Sequence, residues 1–186
     1  MVKAKLVERM MGAAFLDIQT YEEVEADKTA TRQALVVVLI YSLCAGIGSG
    51  LAMIWDEGTG RFFLNLFVGL ISALVFWLVW SFITYFIGTR LFKGPETQSN
   101  YGELLRTIGF AATPGIFMIF VFIPYIGGFI YFVVWVWMLI AMVIAVRQAL
   151  DFTTGRAIGT VLVGGIIYLA IALTIGLLGL GIFGTS

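Results

Sequence analysis

Histidine is absent from the 186-residue chain, and cysteine occurs once, at Cys44. A single cysteine excludes a disulfide within the chain, and the lack of histidine makes a His/Cys metal cluster implausible and excludes a Ser-His-Asp or Cys-His catalytic system. No Walker-type or GxGxxG phosphate loop stands at a strand–helix junction either. Charged residues make up only 12% of the chain, and the acidic ones all lie in predicted loops or tails. We therefore expect no enzymatic activity, no cofactor and no nucleic-acid partner.

Apolar residues are abundant, at 61% of the chain, and the mean hydropathy is +1.03. A soluble domain has about half apolar and about 25% charged residues, so this composition indicates an integral membrane protein. Five apolar runs reach the length of about 20 residues that a helix needs to cross a bilayer, and none alternates as a barrel strand does. They are residues 34–55, 62–88, 104–123, 126–146 and 158–183. The sequence predicts an all-α polytopic protein with an N-terminal segment, residues 1–33, and a five-helix transmembrane domain, residues 34–186.

The distribution of basic residues predicts the orientation of these spans. Ten of the eleven Lys and Arg residues precede the first run or lie at the second and fourth loops, and Arg61 alone lies on the other side. Because Lys and Arg accumulate in cytoplasmic loops, the N-terminus is predicted to be cytoplasmic and the C-terminus outside. We expect a multi-pass protein of the cytoplasmic (plasma) membrane.

The N-terminal segment begins with apolar residues at spacings of three and four between Val2 and Ile18. This pattern predicts an amphipathic helix that lies on the cytoplasmic face of the lipid bilayer. An acidic stretch follows, in which Thr20 and Glu23 have the spacing of a capping box, so a second short helix is predicted from Tyr21.

The acidic stretch shares the predicted cytoplasmic interface with several arginines. Two arrangements are open: the acids form a solvated face, or they fold over the bundle as a lid and pair with the arginines. We name the predicted set the charge layer; it comprises Glu22, Glu23, Glu25, Asp27, Arg32, Arg106, Arg147, Asp151 and Arg156.

Small residues predict where helices pack closely. Ser42, Gly46 and Gly50 recur every four residues in the first span, and Ala172 and Gly176 repeat that spacing in the fifth. Such stripes let two backbones approach, either within this bundle or between two copies of the chain. Pro114 interrupts the third span. It is either a packed kink or a helix break that exposes backbone groups to a substrate.

Three stretches carry a family resemblance: LDIQTYEEVEADKTATRQAL, YGELLRTIGFAATPG, and IPYIGGFIYFVVWVWMLIAMVIAVRQALDFTTGRAI. They resemble the prokaryotic branch of the Yip family, five-span membrane proteins named for eukaryotic members that interact with Ypt/Rab GTPases. The resemblance implies a scaffold or adaptor without catalysis, and thus a membrane protein partner or self-association. The sequence lacks the long cytosolic region and the Asp-Leu-Tyr-Gly-Pro motif of the eukaryotic members, so a GTPase partner is not expected.

Two functions therefore remain open from the sequence. The first is a non-enzymatic scaffold or adaptor that binds proteins through its bundle and its cytoplasmic face. The second is a small transporter or channel for an apolar or weakly polar solute. Ionisable residues usually mark ion pathways, and the five span cores contain none, which favours the first.

Overall fold

The computed structural model describes residues 6–57, 60–94, 97 and 99–183, and within these ranges the chain is helical with no β-strand. The helices are α1 (Leu6–Ala14), α2 (Ile18–Ala26), α3 (Ala30–Glu57), α4 (Gly60–Arg90), α5 (Tyr101–Ala111), a 3₁₀ helix (Thr113–Phe120), α6 (Gly127–Ala149) and α7 (Thr154–Phe183). Five segments are long and apolar enough to cross a membrane: Ala30–Ala52, Phe62–Arg90, Tyr101–Phe120, Gly127–Ala149 and Thr154–Thr174. The predicted all-α, five-span architecture is confirmed.

The third span, predicted at residues 104–123, is not one continuous α-helix. Helix α5 ends at Ala111, a 3₁₀ helix follows, and residues 121–126 form turns. Pro114 has no N–H to donate to the carbonyl four residues back, and its ring clashes there, so an α-helix cannot continue through it. The chain tightens instead: the Gly115 N–H donates to the Ala112 carbonyl at 2.9 Å, a three-residue spacing.

The tightly packed core lies toward one end of the bundle. Tyr21, Leu104, Phe110 and Leu150 are fully buried there, although they come from α2, α5 and the end of α6. We call this the charged end of the bundle; it holds the first residues of α3, α5 and α7 and the last residues of α4 and α6. Away from it, α4 and α6 expose large apolar side chains such as Phe67 and Phe129, as expected for helices surrounded by hydrocarbon.

The small-residue stripe of α3 packs against α4. Ser42 is buried, and its hydroxyl donates to the Leu39 carbonyl. A β-carbon added at Gly46 would lie 2.6 Å from Leu66 Cδ1, and one at Gly50 would lie 2.5 Å from the Phe62 ring. Both distances are shorter than a van der Waals contact, so the two glycines let α4 side chains approach the α3 backbone.

A second close approach in α3 occurs at Gly48, which the candidate residues did not include. A β-carbon there would overlap the Met118 carbonyl oxygen, so α3 contacts the backbone of the 3₁₀ helix directly. In α7, Ala172 is exposed, and the surroundings of Gly176 lie outside the described residues.

Candidate functional site

The N-terminal segment is a helical hairpin whose two helices, α1 and α2, pack against the bundle. Helix α1 ends in a Schellman motif: the Leu16 N–H donates to the Ala13 carbonyl, and the Asp17 N–H donates to the Gly12 carbonyl. Leu16 has φ of 62°, a left-handed conformation that glycine usually adopts at this position. Asp17 then caps α2 by accepting from the Thr20 N–H at 3.1 Å. The prediction that Thr20 is the cap was wrong, because Asp17 begins the helix three residues earlier.

Two side chains hold the end of α1 through its last carbonyl groups. The buried Tyr21 hydroxyl donates to the Ala13 carbonyl at 3.2 Å, and Trp137 Nε1–H donates to the Ala14 carbonyl at 2.8 Å. Trp137 is twelve residues before Ala149, the last residue of α6, which corresponds to about 18 Å along the helix axis. The hairpin therefore extends along the bundle from its charged end and does not rest on top of it.

Arg9 provides the main polar contact between α1 and the rest of the chain. Its side chain is 3% exposed and contacts two carboxylates and one amide oxygen. Nη2 donates to Glu23 Oε1 at 2.7 Å and to Asp27 Oδ2 at 2.9 Å, while Nη1 donates to Gln33 Oε1 at 3.0 Å. One guanidinium thus joins α1 to α2 and to the first turn of α3. The candidate residues did not include Arg9.

Arg106 binds the C-terminal end of α2 from a different helix, α5. Its Nε donates to the carbonyls of Val24 and Glu25 at 3.2 and 3.1 Å, and its Nη2 also donates to the Glu25 carbonyl. These two carbonyls lie in the last turn of α2, which has no intrahelical donors for them, and a cation there also complements the helix dipole. Because Arg106 is buried in α5, it fixes α2 to the third span.

The Glu25 carboxyl lies in an environment that disfavours its charge. Burial, followed by the negative charges of Glu103 and Asp151, raises the pKa of Glu25 to about 7, and the positive charge of Arg106 only partly opposes this rise. The pKa of Asp27 changes in the opposite direction, to about 2, chiefly because the Thr29 hydroxyl donates to it. Neighbouring acids of one segment therefore have their pKa values shifted in opposite directions.

The turn between α6 and α7 and its flanks hold Arg147, Asp151 and Arg156 of the predicted charge layer, whereas Arg32 lies in the first turn of α3. Glu22 Oε1 accepts from Gln148 Nε2 at 3.1 Å, and Arg147 Nε donates to Gln148 Oε1 at 3.0 Å. Arg32 and Arg156 are exposed. The ion pairs of Glu23 and Asp27 are made with Arg9, which was not among the arginines predicted to pair with the acids.

At the helix break at Pro114, a side chain donates a hydrogen bond to the carbonyl that the proline leaves without a backbone donor. The Phe110 carbonyl would accept from residue 114 in a continuous helix, and here it accepts from the Thr113 hydroxyl at 2.7 Å. Pro114 is fully buried, and Gly115 packs against the ring of Tyr41. This carbonyl is therefore satisfied within the protein and is not presented to a substrate.

Among the described residues, no group of three or more His, Cys, Asp or Glu side chains could hold a metal ion.

Comparison with known proteins agrees with the helical membrane architecture. No curated protein and no solved structure matches the chain significantly. The family model of the Yip1 domain matches residues 17–181, which include α2, all five spans and most of α7. The chain is a multi-pass helical membrane protein, and it belongs to the Yip1 domain family.

Proposed function

We propose that this protein is a non-enzymatic membrane scaffold or adaptor whose protein-binding face is the outer surface of α2. The observation that carries the proposal is the attachment of the C-terminal part of α2 by two buried arginines, Arg9 from α1 and Arg106 from α5. Gln19, Glu22 and Glu23 are exposed on this helix. A helix fixed in this way presents its acidic side chains in one arrangement, which reduces the entropy lost when a partner binds. The chemistry fits a partner with a basic surface.

The charged end of the bundle is proposed to face the cytoplasm, with the N-terminus inside and the C-terminus outside the cytoplasmic membrane. The support is the distribution of Lys and Arg in the sequence, because ten of the eleven precede the first span or lie at the second and fourth loops. Single cysteines in a chain with Cys44 replaced test it. Cysteine at Thr97 or Thr154 should react with a membrane-impermeant maleimide from the cytoplasm only, and cysteine at Thr59 or Ser186 from outside only. Termini on the same side would refute five alternating spans.

Co-purification in mild detergent tests the binding face. A full-length chain carrying Glu22→Lys has a reversed charge at the centre of the exposed acidic side, while Arg9 and Arg106 keep their contacts. Arg32→Gln is the matched control, because Arg32 is also exposed and lies outside α2. We expect a partner captured by the wild type, or a second copy of the chain, to be lost with Glu22→Lys and kept with Arg32→Gln. Equal capture by both variants would contradict the assignment of this face.

Transport is the second candidate function, because a membrane span that changes from α-helix to 3₁₀ helix is typical of some transporters. The hydrogen bond from Thr113 to the freed Phe110 carbonyl argues against it. Purified protein in liposomes decides between the two. Saturable flux of a solute that disappears when Thr113 is changed to Val would favour transport over the scaffold.

A further inference from the structure

The outward face of α1 is mostly apolar, although Glu8 on this helix is also exposed. Val7, Met11 and Phe15, which directly follows the helix, are 62%, 52% and 80% exposed, and their spacings of four place them on one stripe. The charged Arg9 points the other way, into the protein. A stripe of three large exposed apolar side chains is unusual on a water-facing helix and indicates an apolar environment.

The surface next to this stripe belongs to the membrane spans. Ala14 contacts Trp137 of α6 through its carbonyl, and the Trp137 ring stacks on Phe117 of the 3₁₀ helix, with centroids 5.7 Å apart and planes at 17°. Phe117 and Phe120 are themselves about half exposed. Both lie within the third span, so hydrocarbon is the medium that surrounds them. The stripe of α1 is thus adjacent to a lipid-facing surface.

The two helices of the hairpin have exposed faces of different chemistry. The face of α2 carries Gln19, Glu22 and Glu23, whereas that of α1 carries the apolar stripe. We propose that α1 is embedded in one leaflet of the bilayer, where Val7, Met11 and Phe15 contact lipid acyl chains, while α2 faces the headgroups and water. Arg9 does not oppose insertion, because its charge is paired with Glu23 and Asp27 inside the protein. This inference does not depend on the proposed adaptor function.

Spin labelling of the full chain tests the proposal. Cys44 is replaced by Ala, and a single cysteine carrying a nitroxide is placed at Met11 or Phe15 on the stripe, or at Gln19 or Glu22 as matched controls. All four residues are exposed, so the labels fit without repacking, and an unchanged thermal unfolding midpoint verifies the fold of each variant. The protein is reconstituted in vesicles of phosphatidylcholine and phosphatidylglycerol, with a water-soluble nickel complex on both sides.

Oxygen concentrates in hydrocarbon and the nickel complex stays in water, so their collision rates with the nitroxide identify its surroundings. At residues 11 and 15 we expect oxygen collisions to exceed nickel collisions several-fold, with the opposite ratio at residues 19 and 22. Ready collision with nickel at residues 11 and 15 would overturn the proposal, since the stripe would then face water. Protection from both reagents would also overturn it, because the stripe would then be covered by protein, such as a second copy of the chain.

Discussion

Replacing Arg9 by Gln should release the N-terminal hairpin from the bundle. The Arg9 guanidinium donates four hydrogen bonds, two to Glu23 and one each to Asp27 and Gln33. Glutamine is shorter and neutral, so it can neither span these acceptors nor balance the two carboxylates. The hydrogen bonds from Tyr21 and Trp137 to the end of α1 would remain.

The burial of the three charged groups sets the size of the effect. Arg9 is 3% exposed, but the side chains of Glu23 and Asp27 are 42% and 21% exposed and can regain some hydration. Removing one partner of a truly buried pair costs about 3–5 kcal/mol, and an exposed pair contributes about 0–1 kcal/mol. We therefore expect the free energy of opening the hairpin to fall by about 2–3 kcal/mol, an intermediate value.

Hydrogen exchange in detergent or nanodiscs measures this opening locally. A loss of about 2–3 kcal/mol corresponds to about 30- to 150-fold faster exchange of the α1 and α2 amides, because each 1.4 kcal/mol is tenfold. Arg9→Lys keeps the charge but loses the planar fork, so its exchange rate should lie between those of wild type and Arg9→Gln. Arg32→Gln removes an exposed arginine and is the control that should change nothing.

One result would refute this reasoning. If Arg9→Gln and Arg32→Gln gave the same exchange rates in α2, the buried guanidinium would contribute no more than a surface charge. The triple variant Arg9→Gln, Glu23→Gln, Asp27→Asn separates two contributions to the lost stability, the uncompensated charge of the carboxylates and the missing hydrogen bonds. It removes the stranded carboxylates, so recovery of slow exchange would assign most of the loss to uncompensated charge, and continued fast exchange would assign it to the missing hydrogen bonds.

Three further changes test other parts of the structure. Because the pKa of Glu25 is higher in the folded than in the unfolded chain, thermal stability should fall as pH rises from about 5 to 7, and Glu25→Gln should remove that slope. Gly48→Ala should lower the thermal unfolding midpoint, since its β-carbon meets a backbone carbonyl, whereas Gly69→Ala, with open space around it, should leave the midpoint unchanged or raise it. Thr113→Val should destabilise the protein by about 1–3 kcal/mol in detergent unfolding, because the Phe110 carbonyl loses its donor.

The five spans could be predicted because each depends on a property of local sequence, the length of an apolar run. The break at Pro114 was also visible locally, but its form was not. Whether a chain kinks or changes to a 3₁₀ helix depends on what satisfies the freed carbonyl, and here Thr113 does so from an adjacent turn. The approach of Gly48 to the Met118 carbonyl could not be predicted either, because it depends on a contact between residues seventy positions apart.

The hairpin shows a more general limit of hydropathy in membrane proteins. Apolar periodicity in α1 correctly indicated that the helix has apolar faces, but lipid and protein core are both apolar and attract the same side chains. Met10 therefore packs against the core while Met11 is exposed, and no hydropathy pattern distinguishes the two. A charged residue in the apolar segment is what distinguishes the protein-facing side of the helix from the lipid-facing side. A charge within an apolar segment needs a partner, so Arg9 followed by an acidic stretch was the signal that α1 folds back on α2. In an apolar segment, such isolated charges are therefore the residues from which tertiary contacts are best inferred.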